Sequence, residues 1–129
     1  TTRKDNLRIL VVDDNELIRN VTDMLLKHLG YETELAKNGS EAVALYKKAM
    51  KADQPFDAVI LDLVMPGGIG GEEVSRKIFQ ENPVAKIIVS SGDSHDPIME
   101  EYKEYGFQGA ISKPYQAKEL QELLNKVLF

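Results

Sequence analysis

Residues 9–16 read ILVVDDNE, from Ile9 to Glu16. Four apolar residues of a kind that fits a buried strand run straight into two adjacent aspartates, Asp13 and Asp14. Two like charges side by side, where a strand leaves the core, have two readings. One is a solvated turn in which Asp14 caps the next helix; the other is a metal site. The residues around this stretch decide between them.

Similar apolar runs return along the chain. RILVV (8–12), DAVIL (57–61) and KIIVS (86–90) are nearly continuous, as strands covered on both faces should be. ETELA (32–36) and GAIS (109–112) are weaker and read as strands nearer an edge. Helical periodicity lies between them. Leu17, Ile18, Val21, Met24, Leu25 and Leu29 keep a 3.6-residue period, and Gly30 follows as a C-terminal cap. Ala42, Val43, Leu45, Tyr46, Ala49 and Met50 form a second stripe, and Val74, Ile78 and Phe79 mark a third helix from about Gly71 to Glu81. Asp96-Pro97, a cap followed by proline at the first helical position, opens a fourth. Leu120, Leu123, Leu124, Val127 and Leu128 make the last. Five strands alternating with five helices imply an α/β fold: a parallel sheet wound by right-handed crossovers, with helices on both faces.

A chain of 129 residues reads as one domain, 1–129, burying about two-thirds of its unfolded surface. It has no cysteine, which excludes disulfides and thiolate metal sites and fits a cytosolic setting. No apolar run approaches the ~20 residues of a membrane span, and no signal peptide is visible. A net charge of −5 without a basic stripe gives no sign of nucleic-acid binding. The sequence begins TTRKDN without an initiator methionine, as a processed protein or a piece of a longer one would.

In open parallel sheets, ligands bind beyond the carboxyl ends of the strands. Those ends carry Asp13 and Asp14, Asp62 within VILDLVMPGG, Ser90-Ser91-Gly92, and Lys113-Pro114. Each alone has an ordinary explanation as a cap, a turn or a solvated loop. Together they bring three carboxylates, a hydroxyl and an ammonium to one edge of one sheet. Crowded carboxylates stay ionised only near a compensating cation. An oxygen-only set without His or Cys suits a hard ion, and few ligands with room for water suit Mg²⁺ over Ca²⁺. Such an ion makes the cluster attractive to a phosphoryl group. A carboxylate can accept that group, Lys113 can neutralise one of its oxygens and Ser91 can hydrogen-bond another. Elsewhere the ordinary readings hold. His28 and His95 read as structural or solvent-facing, and Met24, Met50, Met65 and Met99 as core or loop packing. Glu100, Glu101, Lys103 and Glu104 read as a solvated helix face.

The stretches ILVVDDNELIR, VILDLVMPGGIGG, IIVSSG and ISKPY resemble the four signatures of response-regulator receiver domains of two-component signalling, over about residues 7–128. The resemblance implies a flavodoxin-like doubly wound sheet of order 2-1-3-4-5. It implies that Asp62 accepts a phosphoryl group from a histidine kinase or histidine phosphotransfer protein, in a Mg²⁺-dependent reaction that the domain itself catalyses without being a stand-alone enzyme. Asp14 and Asp62 match direct metal ligands, Asp13 a ligand acting largely through water, and the Val64 carbonyl a third protein oxygen. Ser91 matches the switch hydroxyl, and Lys113 the lysine before a cis proline. The implied module is cytoplasmic, monomeric or weakly dimeric, and touches neither nucleic acid nor membrane, although its parent protein could be anchored. The segment VSSGDSHDPIMEEYKEYGFQGAISKPY resembles the receivers of hybrid sensor histidine kinases in particular.

Three departures from that family's usual pattern carry weight. Ala110 stands three residues before Lys113, where an aromatic is usual; nearby Phe107 and Tyr115 are the candidate substitutes. MPGGIGG is one residue longer than usual, and its four glycines predict a mobile rim beside Asp62. Val64 and Asp93 occupy the two places that tune dephosphorylation in the family. Three rival readings are a flavin-binding protein of the same fold, an aspartyl phosphatase, and a receiver-like module that works without phosphorylation. The first would want hydroxyls and glycines after the first strand, the second two aspartates one residue apart. The third is disfavoured by a complete set of chemical groups.

Overall fold

The structure is a computed structural model and describes residues 7–93 and 95–129. Its elements run β1 (Arg8–Val12), α1 (Glu16–His28), β2 (Glu32–Ala36), α2 (Gly39–Lys51), β3 (Ala58–Asp62), α3 (Gly71–Glu81), β4 (Ile87–Ser91), α4 (Pro97–Glu100), a 3-10 turn (Tyr102–Tyr105), β5 (Gly109–Ser112) and α5 (Ala117–Leu128). The five strands form one parallel sheet in the order β2-β1-β3-β4-β5, the doubly wound arrangement expected.

Side-chain alternation divides the sheet into two apolar faces. Leu10, Val12, Val59, Leu61, Ile87 and Val89 pack with Tyr46, Val74 and Ile78 on the α2–α3 side. Ile9, Val11, Ala58, Ile60, Ile88 and Ile111 pack with Leu26, Leu120 and Leu124 on the α1–α5 side. All of these lie at 2% exposure or less, so each large side chain contributes about 1.5–3 kcal/mol of apolar burial. This explains why the three central strands read as unbroken apolar runs. The strands β3 and β4 each begin and end one residue later than the runs suggest, which puts Asp62 and Ser91 inside the ladder.

The helices start and stop where local chemistry directs. Asn15 and Asn38 cap α1 and α2, their side-chain oxygens accepting from the N–H groups of Ile18 and Glu41. At the end of α1 the Gly30 N–H donates to the Lys27 carbonyl and the Tyr31 N–H to the Leu26 carbonyl, with Gly30 at φ 99°. That is a Schellman closure, and the buried pair Leu26 and Tyr31 supplies its apolar contact.

Two expectations are corrected. The α1 stripe is not all core. Leu17 is 72% and Met24 69% exposed, Val21 also faces outward, and the buried residues are Thr22 and Leu26. Apolar residues cover more than one face of this helix, and the sheet takes the face on which the Thr22 hydroxyl can bond the Ile18 carbonyl and meet Tyr115 Oη. The fourth helix is a single turn. Asp96 caps it as foreseen, but Glu101 leaves helical geometry and a 3-10 turn follows. Met99 and Phe107 are its buried anchors. The chain tightens between them, with Gly106 at φ 87°, so that Phe107 can reach the core.

Candidate functional site

The carboxyl ends of β1, β3 and β5 converge on one point. Asp13 extends the face of β1 that carries Ile9 and Val11, and Asp62 ends the face of β3 that carries Ala58 and Ile60. Both carboxylates are 2% exposed, whereas Asp14, one residue further and on the other side of the chain, is exposed. Carboxylate oxygens of Asp13, Asp14 and Asp62 lie within 4.8 Å of one another. From beyond β5 the Lys113 ammonium reaches in, 2.8 Å from Asp13 Oδ2 and 3.1 Å from Asp62 Oδ2. The Lys113–Pro114 bond is cis, as the resemblance implies.

Backbone contacts orient the two buried acids. Asp13 Oδ1 accepts from the Asn15 N–H at 2.9 Å, which closes the turn into α1. Its backbone carbonyl accepts from the Arg19 guanidinium at 2.8 Å. Asp62 Oδ1 accepts from the Val64 N–H at 3.2 Å, while the Val64 side chain itself is exposed. Asp13 Oδ2 is buried, and the Lys113 ammonium is its close partner.

Burial and the neighbouring Asp13 charge push the Asp62 carboxyl up to about 6, against the opposing pull of Lys113. Burial alone would lower the Lys113 ammonium, but the contacts with Asp13 and Asp62 outweigh it and hold its pKa above the usual lysine value. Three carboxylates facing one ammonium leave excess negative charge at the site. An all-oxygen donor set and that excess charge fit a hard divalent cation such as Mg²⁺.

Ser91 ends β4, 1% exposed, with its Oγ accepting from the Asp93 N–H at 3.0 Å. It does not hydrogen-bond Asp62; strand alternation puts it on the opposite face of the sheet from Ser90. Within the glycine-rich segment Gly67, Gly68 and Gly70 face open space, but Gly71 does not. A side chain on Gly71 would stand 2.7 Å from the Asp62 carbonyl oxygen, so this glycine lets α3 start directly against the acceptor strand. Ile69 in turn packs against the start of α2 at Gly39. Of the candidate substitutes for a ring at position 110, Phe107 is buried, with Phe79 and Tyr105 stacked at 6.4 and 6.2 Å. Tyr115 lies on the α1 side, 3.1 Å from the Thr22 hydroxyl, and burial raises its pKa.

Sequence reasoning missed Arg19, and it placed Ser90 at the strand end without giving it a role of its own. Arg19 carries a weak signal, a cation in the first turns of the helix that follows two aspartates. Ser90 stands where the KIIVS run should be apolar, which is a better one. Beside the site, Leu17, Ile18 and Val21 form an apolar groove of about 180 Å³ with Pro114 and Tyr115.

Comparison with known proteins agrees with this geometry. The family model of the response regulator receiver domain matches residues 9–125. The chemotaxis protein CheY of Thermotoga maritima is 35% identical over 121 residues, 93% of this chain and 96% of that protein. The CAI-1 autoinducer sensor kinase/phosphatase CqsS of Vibrio cholerae is 38% identical over 123 residues, 93% of this chain and 17% of that protein. Among solved structures, the response regulator TrrA of Thermotoga maritima, in complex with Mg²⁺ and BeF, superimposes with a TM-score of 0.78 at 35% identity. That alignment covers 95% of this chain and 99% of that one.

Proposed function

The chain belongs to the family of response-regulator receiver domains of two-component signalling, and on that premise we propose that Asp62 is the residue that takes a phosphoryl group from a phosphohistidine. The observation that carries this reading is the meeting of Asp13, Asp14, Asp62 and Lys113 at one edge of the sheet. A buried carboxylate held against a like charge is a poor stabiliser. It is a good acceptor. Above pH 6 the Asp62 carboxyl is ionised and can attack. One of its oxygens bonds to phosphorus as the phosphorus–nitrogen bond breaks, and the electron pair returns to the donor imidazole.

The other groups have separate tasks. Lys113, already at 3.1 Å from Asp62 Oδ2, neutralises an equatorial phosphoryl oxygen. Ser91 accepts the Asp93 N–H and so keeps its own proton free to donate to another. Asp14, Asp62 and the Val64 carbonyl would hold Mg²⁺, with Asp13 acting largely through water. Bound Mg²⁺ offsets the repulsion between the carboxylates and an incoming phosphoryl group.

The donor is a histidine kinase or a histidine phosphotransfer protein. The apolar groove of Leu17, Ile18 and Val21 beside Pro114 flanks the route to Asp62 and suits a helical donor surface. The chain works as one receiver domain over 1–129, catalysing its own phosphorylation and slow dephosphorylation and no further turnover. With Ala110 ringless and Phe107 packed in the core, the response to phosphorylation runs through Ser91, Asp93 and the start of α4.

Incubation with acetyl phosphate and Mg²⁺ tests this. The expected product carries one acid-stable, base-labile phosphoryl group by intact mass, and a chelator abolishes it. No uptake with Mg²⁺, or equal uptake in chelator, sinks the reading.

A further inference from the structure

We propose that the Ser90 hydroxyl donates to the Asp62 carboxyl group in the phosphorylated state and shortens the life of the phosphoryl group, an inference that rests on Asp62 being the acceptor. The strands β3 and β4 pair with Asp62 opposite Ser90, and β4 and β5 pair with Ser90 opposite Ile111. Registered partners in a parallel sheet point to the same face about 5 Å apart. Ser90 therefore stands beside Asp62, on the face that also carries Ile60 and Ile88. It is 1% exposed, and among the described residues its Oγ has no hydrogen-bond partner.

A buried hydroxyl without a partner is unfavourable, and an apolar side chain would continue this strand without that penalty. In the resting site the Asp62 oxygens are served by the Val64 N–H and by Lys113. Once phosphorus is attached, the Lys113 ammonium turns to the phosphoryl oxygens, and the carboxyl oxygen that it held loses its donor. The Ser90 hydroxyl, on the adjacent strand and the same face, is an unengaged group with a proton to give.

Hydrolysis makes that bond count. A water oxygen bonds to phosphorus while the bond from phosphorus to the Asp62 oxygen breaks. The electron pair stays on Asp62 as carboxylate, and the water protons leave with orthophosphate or pass to solvent. Negative charge thus grows on the oxygen group that Ser90 faces. A hydrogen bond to a charged acceptor is stronger than one to a neutral acceptor, so the donation stabilises the transition state more than the acyl phosphate. Losing it slows the step by about five- to tenfold.

The test uses purified phosphorylated protein with Mg²⁺ and follows orthophosphate release in wild type, Ser90→Ala, Ser90→Val and Ser90→Thr. Ala and Val are expected to take the label on Asp62 and release it about five- to tenfold more slowly. Thr, which keeps the hydroxyl, restores the rate to within about twofold. A second readout separates chemistry from packing. The metal-free melting temperature of Ser90→Ala stays level or rises, because the unpartnered hydroxyl is gone. The rise that beryllofluoride (standing in for the phosphoryl group) and Mg²⁺ add is smaller than in wild type. Variants that are labelled normally and release phosphate at the wild-type rate overturn the role of Ser90. Wild type that takes no label overturns the acceptor reading beneath it.

Discussion

Replacing Asp62 by Asn should stabilise the metal-free protein, and by an amount that depends on pH. The Asp62 carboxyl is pushed from 3.8 to about 6 by burial first and by Asp13 second. The folded protein therefore holds a proton between pH 4 and 6 that the unfolded chain has released. Wild-type stability falls as the pH rises through that window, by about 3 kcal/mol in all for a shift of this size. Asparagine cannot ionise, so the variant escapes the loss. It still offers an oxygen to the Val64 N–H, but its amide N–H₂ faces the Lys113 ammonium, donor against donor, which takes back about 1 kcal/mol. The net gain is about 2 kcal/mol at pH 8, or roughly 6–8 °C in melting temperature for a domain of this length. At pH 4.5 only about 1 kcal/mol of the penalty has developed, and the gain vanishes. Urea or thermal unfolding in chelator, at both pH values, measures it. A variant no more stable than wild type at pH 8, or equally stabilised at both, refutes the argument that Asp62 is a strained buried acid.

Other perturbations probe the surrounding groups. Lys113→Met leaves Asp13 and Asp62 facing each other without a cation, and should lower stability by about 2–4 kcal/mol at pH 8 and by less at pH 5, where Asp62 protonates; urea titrations at the two pH values check it. Leu17→Glu, on an exposed position, should leave labelling by acetyl phosphate unchanged and slow transfer from a phosphohistidine protein by about tenfold or more; equal slowing of both would argue against a docking face. Amide exchange with and without beryllofluoride should change most across 67–71 and 91–98; a dominant change around 107–111 would instead favour an aromatic switch.

How much of this was legible beforehand depended on how many forces acted on each residue. The strands β1, β3 and β4 were plain because both of their faces are buried, so from Ile9, Ala58 and Ile87 onward each position is apolar until the site begins. The site was plain for the opposite reason: Asp13, Asp62 and Lys113 break that rule at strand ends, where nothing in the packing requires a charge. The outward face of α1 was not legible, since Leu17, Val21 and Met24 have the same spacing as core residues and only the position of the sheet distinguishes them. The break in α4 depends on Phe107 reaching a distant core, which local propensity does not contain. Glycine misled once. Gly71 reads as freedom in the sequence but serves close approach to the Asp62 backbone. Ser90 was visible as a polar residue in an apolar run, yet its position beside Asp62 follows only from the register of β3 and β4.

The account stands on Asp62 as the acceptor, and borohydride trapping tests that directly. Protein labelled with acetyl phosphate and Mg²⁺ is reduced, which converts an aspartyl phosphate to homoserine, and is then mapped by tandem mass spectrometry. The account predicts homoserine at position 62 alone, in stoichiometric proportion to the label, and none in Asp62→Asn. Homoserine at position 13 or 14 of the wild type, or a full label in Asp62→Asn at the wild-type rate, would contradict it.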